Sequence, residues 1–115
     1  MKLKRIYQAR SAEDGLRVLV ERLWPRGLTK ERAAVDRWLK EVAPSPALRT
    51  WYGHDAGRWQ EFARRYREEL RQRREAVACL RQQSRRGVLT LLFASRDAAH
   101  CSAAVLKEFL ETEAD

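Results

Sequence analysis

The residues of this chain best suited to chemistry are three arginines and the side chains that could share a pocket with them. Arg22, Trp24 and Arg26 close the stretch RVLVERLWPRG at residues 17–27, where an apolar-alternating run breaks at Pro25 and Gly27. Arginine carries a fork of N–H donors that makes paired hydrogen bonds to a planar or tetrahedral oxyanion. In α/β proteins ligands are held beyond the ends of strands. The segment therefore predicts an anion-binding pocket for a group bearing phosphate, sulfate or carboxylate. Arg49 completes the clamp with Arg22 and Arg26, Ser45 is its expected helper, Trp24 its wall, and the positive end of the final helix an added attraction. The competing reading makes the arginines structural, paired with Glu21, Asp36, Asp55 or Asp97.

Two further residues are candidates for catalysis. His54 sits in a loop between Gly53 and Gly57 with Asp55 beside it. An imidazole titrating near neutrality serves as a general acid or base, whereas a plain structural histidine would cap the next helix or bond to backbone. Cys101 falls in the first turns of the last helical stretch, where the helix dipole lowers a thiol pKa and makes a nucleophile or redox sensor. Free cysteines are otherwise small buried hydrophobes, the reading that suits Cys79. His100 precedes Cys101, but adjacent residues on a helix diverge. Trp38, Trp51 and Trp59 lie at core spacing on helices. Whether any reaction follows from these residues the sequence leaves open.

Composition narrows the class. A chain of 115 residues, 44% hydrophobic and 35% charged, has room for one core, so residues 1–115 form a single domain. No apolar run reaches the roughly 20 residues of a membrane span. MKLKRIYQAR lacks the apolar core of a signal peptide, so a cytoplasmic protein is expected. The two cysteines have no metal-ligand spacing, and no metal or cofactor is indicated. A phosphate-cradling glycine-rich loop is absent, which argues against that type of nucleoside triphosphate site.

The net charge of +8 (24 Lys and Arg against 16 Asp and Glu) attracts polyanions. Residues 58–86 hold ten arginines and four glutamates. The alternative function is therefore a non-enzymatic nucleic-acid-binding or regulatory protein that uses this helical region. Most such runs are solvated faces laced with pairs such as Glu61 and Arg65, and an arginine-rich composition also arises from genomic base composition. No helix-turn-helix, zinc-finger or RNA-binding signature accompanies the run. The oligomeric state is not legible.

The elements that must position these residues follow from periodicity. Strands are expected at 2–8 and 17–23, with one helical turn at 11–15 capped by Ser11. From Thr29 the pattern turns helical, with Val35, Trp38, Leu39 and Val42 on one face, and stops before Pro44. Ser45 and Pro46 restart a short helix. A long helix carries Trp59, Phe62, Tyr66 and Leu70, and another runs to about Arg86 before Gly87. VLTLLFA at 88–94 reads as a strand buried on both faces. Asp97 caps a last helix to about Glu111. The fold class is α/β, a small layered domain with a short, mostly parallel sheet flanked by helices and the last strand central.

Taken together, DGLRVLVERLWPRGLTK (14–30), WLKEVAPSPALRTWYGHD (38–55), RWQEFARRYREEL (58–70), TLLFASRD (90–97) and AAVLKEFLE (103–111) resemble the YeaO-like family of uncharacterised bacterial proteins, a branch of domain of unknown function 488. The resemblance covers nearly the whole chain. It implies a compact α/β fold and no established activity. The family's polar pattern matches at Arg22, Trp24, Arg26, Lys30, Lys40, Ser45, Arg49, His54, Trp59, Tyr66 and Asp97. Family members commonly carry Asn-His, and distant relatives Cys-His, where this chain has Cys101-Ser102. A Cys–His pair of that kind has no imidazole here.

Overall fold

The computed structural model describes residues 1–113. Four strands, β1 (Lys2–Arg5), β2 (Leu16–Leu19), β3 (Arg37–Trp38) and β4 (Leu89–Phe93), form one sheet in the order β1-β4-β2-β3, every neighbouring pair parallel. All five residues of β4 are buried, as its nearly continuous apolar run requires of a central strand. The first two strands never touch, because β4 lies between them. Their short connection need only step over one strand.

Side chains alternate across the sheet with period two. Val18, Val20, Leu89, Leu91 and Phe93 enter the main core, while Leu19 and Leu92, with Ile6, face a smaller cluster around Ala33 on the other side. The main core is closed by α2 (Pro46–Tyr52), α3 (Trp59–Arg71), α4 (Arg74–Arg86) and α5 (Ser102–Thr112). From α3 it takes Phe62, Tyr66 and Leu70, from α4 Val77 and Leu80, and from α5 Val105, Leu106, Phe109 and Leu110. Tyr66, fully buried, donates its hydroxyl to the Val42 carbonyl. These helices have the periodicity read from the sequence, and the sheet is parallel as expected.

The helix expected from Thr29 to before Pro44 is replaced by three shorter pieces. α1 (Lys30–Ala33), capped by the Thr29 hydroxyl, ends after one turn where Ala34 adopts a left-handed backbone at φ 48°. β3 follows, and a 3-10 turn at Lys40–Val42 leads to Ala43. Ladder bonds outcompete the helix here. The Asp36 and Leu39 N–H groups donate to the Arg17 and Leu19 carbonyls at 2.9 Å each, and the Asp36 carboxylate accepts the Arg17 N–H at 2.8 Å. The 3.6-residue spacing of Val35, Trp38, Leu39 and Val42 is thus shared by a strand and its flanks. Strands expected at 2–8 and 17–23 stop at Arg5 and Leu19. Asp97 caps a turn, accepting the Ala99 and His100 N–H groups at 3.1 Å, and α5 begins later with Cys101 as its N-cap.

At the opposite, N-terminal end of the strands lies a charged knot. Ser11 caps a 3-10 turn at Ala12–Asp14, which Gly15 closes at φ 62°. A Cβ on Gly15 would stand 2.3 Å from the Val88 carbonyl oxygen, so only glycine lets the chain enter β2 there. Beyond it the Arg17 guanidinium, 1% exposed, bonds to Asp14 at 2.5 Å and to the Ala33 and Ala34 carbonyls at 2.8 and 3.0 Å.

Candidate ligand-binding site

At the C-terminal ends of β2 and β4 the chain leaves the sheet in opposite directions. After β2 it runs out to β3 at one edge; after β4 it turns to α5, which packs on β1 and β4. A parallel sheet opens a crevice at such a divergence. Here the crevice is a cavity of about 540 Å³, roofed by α2 and the start of α3.

Its polar lining comes from both strand ends. Glu21 joins them: its carboxylate accepts the Ala94 N–H just after β4, and its carbonyl accepts the Trp38 indole N–H from β3 at 2.6 Å. Burial pushes the Glu21 carboxyl above its ordinary value, with the Ala94 bond and the Arg49 charge opposing. Next to it, Arg22 extends along the cavity wall, reaching the Pro44 carbonyl with one terminal nitrogen at 3.5 Å. Its Nε is buried and has no hydrogen-bond partner among the described residues. Arg49 reaches the cavity from α2.

The rim carries two imidazoles. His54 lines the cavity from a left-handed backbone position at φ 60°, exposed, just past the Gly53 cap of α2. His100 is bound through Nδ1 to the Asp97 carboxylate at 2.8 Å, and its ring meets Trp59 edge to face at 5.2 Å. That bond holds the Asp97 carboxyl below its ordinary range. Asp97 and His100 are three residues apart, and that spacing is the signal which would have found the pair. Glu21 offered none, since an acid beside a strand end looks like any surface residue.

Of the residues singled out from the sequence, Arg22, Arg49, His54 and Cys101 line this cavity. Three do not. Arg26 is exposed and away from the lining, its carbonyl taken by the Tyr7 hydroxyl. Trp24 packs in the smaller cluster on the other face of the sheet, edge to face with Trp38 at 5.4 Å, and gives its indole N–H to the Leu28 carbonyl. Both lie beyond the strand: after Leu19 the chain bends, so strand alternation no longer sets which way they face. Ser45 caps α2 through the Leu48 N–H and donates to the Glu69 carboxylate at 2.5 Å, tying α2 to α3.

Cys101 is in the cavity wall, in surroundings that favour the protonated thiol. Its thiol is buried, 6% exposed, and burial pushes its pKa up despite the Ala103 and Ala104 N–H groups pulling down. The negative charges of Glu21 and Asp97 push the same way. Desolvation thus outweighs the pull of the helix start on this thiol. In a Cys79→Ser background the folded protein at neutral pH is expected to be alkylated at least about tenfold more slowly than the denatured chain. A faster reaction in the folded state would contradict this.

The arginines of residues 58–86 are largely engaged. Arg64 and Arg65 both bond to Glu61, holding its carboxyl at about 2; Arg71 pairs with Glu68 and Glu113, Arg67 with Glu108, and Arg73 with Glu69. No helix among the described residues is long and apolar enough to cross a membrane.

The relatives that match this chain bring no activity with them. The sequence model of a family described as the inactive DUF488-N3 subclade matches residues 1–115. An uncharacterised protein of Mycobacterium tuberculosis H37Rv is 44% identical over 110 residues, which is 96% of this chain and 92% of that one. The uncharacterised protein YeaO of Escherichia coli K12 is 35% identical over 109 residues, 95% of each chain. No solved structure matches at the same stringency. Matched from end to end by that family and by these relatives, the chain belongs to the inactive DUF488-N3 subclade, among the YeaO-like proteins.

Proposed function

We propose that this protein binds a small anionic molecule in the strand-end cavity, through Arg22 and Arg49, and that binding rather than turnover is its activity. The observation that carries the reading is the buried Arg22 Nε. Buried guanidinium N–H groups are almost always bonded, and leaving one without an acceptor is costly. An oxyanion at this wall would supply the acceptor once the guanidinium turns its Nε toward the cavity. The N-terminus of α5, with Cys101 and Ser102 in the lining, adds a positive dipole end.

Binding without catalysis fits the remaining chemistry. The one thiol in the lining is held protonated, the Glu21 carboxylate is engaged with backbone, and the matched family is described as inactive. Nucleic-acid binding through 58–86 has less support, because six of those ten arginines already have a carboxylate partner. The test is a thermal-shift and calorimetric screen of sulfate, phosphate and acetate at matched ionic strength. Saturable stabilisation by one anion class, lost in Arg22→Ala, is the expected outcome. Equal shifts with every anion would refute a specific site.

Glu21 supplies a second handle, because it sets a negative charge in the same cavity. A carboxyl whose folded pKa is raised adds stability that is full below its ordinary value of 4.5 and is lost as pH rises through the raised value. Glu21→Gln keeps an oxygen for the Ala94 N–H and removes the charge. The variant is therefore expected to gain on the wild type in stability as pH climbs above 4.5. Its sulfate affinity at neutral pH should be about fivefold higher. Sulfate keeps a constant charge across this range, so any pH dependence belongs to the protein. Calorimetric titrations at pH 4 and 7.5 check both points.

A further inference from the structure

We infer that the anion taken by this cavity carries an aromatic ring, which lies against Trp59 and Tyr52 while Arg22 and Arg49 hold the charge; the inference rests on the anion-binding reading above. The charged lining comes from the chain leaving β2 and from α2. A different part, the junction of α2 and α3, supplies Tyr52, Trp59 and Phe62. These three rings brace one another: Tyr52 lies 5.8 Å from Trp59 and 4.6 Å from Phe62, and Trp59 stacks on Phe62 at 5.4 Å. His100, pinned by Asp97, closes on the Trp59 edge.

An aromatic wall so ordered loses little freedom when a flat ligand docks on it. Trp59 and Tyr52 are half-buried, with Phe62 and the rest of the core behind them, so they meet the cavity as surface. A lone inorganic ion would satisfy the guanidinium groups and leave this apolar wall in water. A cavity of about 540 Å³ is also of the size that encloses an organic molecule rather than an ion. A ring bearing a phosphate or a carboxylate answers both halves of the lining at once. Aryl phosphates, mononucleotides among them, and aryl carboxylates share that chemistry.

The experiment compares pairs that differ only in the ring: phenyl phosphate against methyl phosphate, and benzoate against acetate, titrated calorimetrically into the full chain. In at least one pair the aromatic member is expected to bind about tenfold more tightly, and the pair with the larger gain identifies the headgroup class. The same member should shift the Trp59 indole N–H resonance in an NMR titration, and Trp59→Leu should cut its advantage to less than twofold. The NMR readout needs no mutation, so a poorly folding variant does not blunt the test. Equal affinity within both pairs, with binding still lost in Arg22→Ala, would overturn the aromatic inference and leave the anion site standing. No saturable binding by any of the four would overturn both.

Discussion

Replacing Arg22 by alanine is expected to weaken sulfate or phosphate binding by roughly a hundredfold while leaving the fold intact. A hydrogen bond to a charged group contributes about 1.5–3 kcal/mol, and a forked guanidinium offers two such bonds in one plane. Among the described residues Arg22 has a long contact, 3.5 Å, to the Pro44 carbonyl, and its Nε has no partner. Its removal therefore takes little from stability and much from affinity, a separation that a structural arginine would reverse. Arg22→Lys restores the charge without the fork and should recover no more than about a tenth of the affinity. Arg26→Ala is the internal control. Arg26 stands two residues past Trp24 on the exposed loop and contributes only its backbone carbonyl, to Tyr7. Its affinity should match the wild type. Calorimetry at low ionic strength measures all three, and wild-type affinity in Arg22→Ala would remove Arg22 from the site.

Why Arg22 and Arg26 part company shows what the sequence could reveal and what it could not. The strand-end position of both was legible, since Val18 and Val20 alternate and Pro25 stops the run. The direction of the chain after Leu19 was not, because it depends on the Glu21 carboxylate meeting the Ala94 N–H, seventy-three residues away. The long helices were legible from their own faces. β3 was not: two residues pair with β2 only because Ala34 leaves the helix and Asp36 finds the Arg17 backbone. That is tertiary context overriding a helical spacing. Ser45 is the cap that its place before Pro46 predicts, and its hydroxyl is taken up by Glu69 outside the cavity lining. Cys101 was placed at a helix start, as it is, but the sign of its thiol shift depends on burial. The Asp97–His100 pair lay in plain sight at a three-residue spacing, hidden because the helix was expected to begin at Asp97.

Asp14→Asn is expected to destabilise the protein by about 3 kcal/mol, the cost of leaving a buried charge without its partner, and to lower the melting temperature by roughly 10 °C. Asp14 is 5% exposed and Arg17 1%. Asparagine keeps the shape, so any loss reports the charge. Burial pushes the Asp14 carboxyl up, but the Ser11 N–H, Lys4 at 3.0 and 3.1 Å and Arg17 at 2.5 Å together outweigh it and hold its pKa at about 2. Without that charge the Arg17 guanidinium, which reaches only the Ala33 and Ala34 carbonyls besides, stays buried and uncompensated. The knot joins β1, the turn before β2, and α1, so its loss loosens the end of the sheet opposite the cavity. The pH dependence has a definite sign. A depressed carboxyl contributes stability that is complete above its ordinary value of 3.8 and is lost as pH falls through about 2. Urea denaturation should therefore separate wild type from Asp14→Asn fully at pH 7, and the gap should narrow as pH approaches 2. The solvent-exposed Glu61 is held near the same pKa by Arg64 and Arg65 on α3. Its Glu61→Gln variant should show no comparable loss, because surface pairs are screened and cheap to break. If both variants lose equally, burial is not what makes the Asp14–Arg17 pair matter.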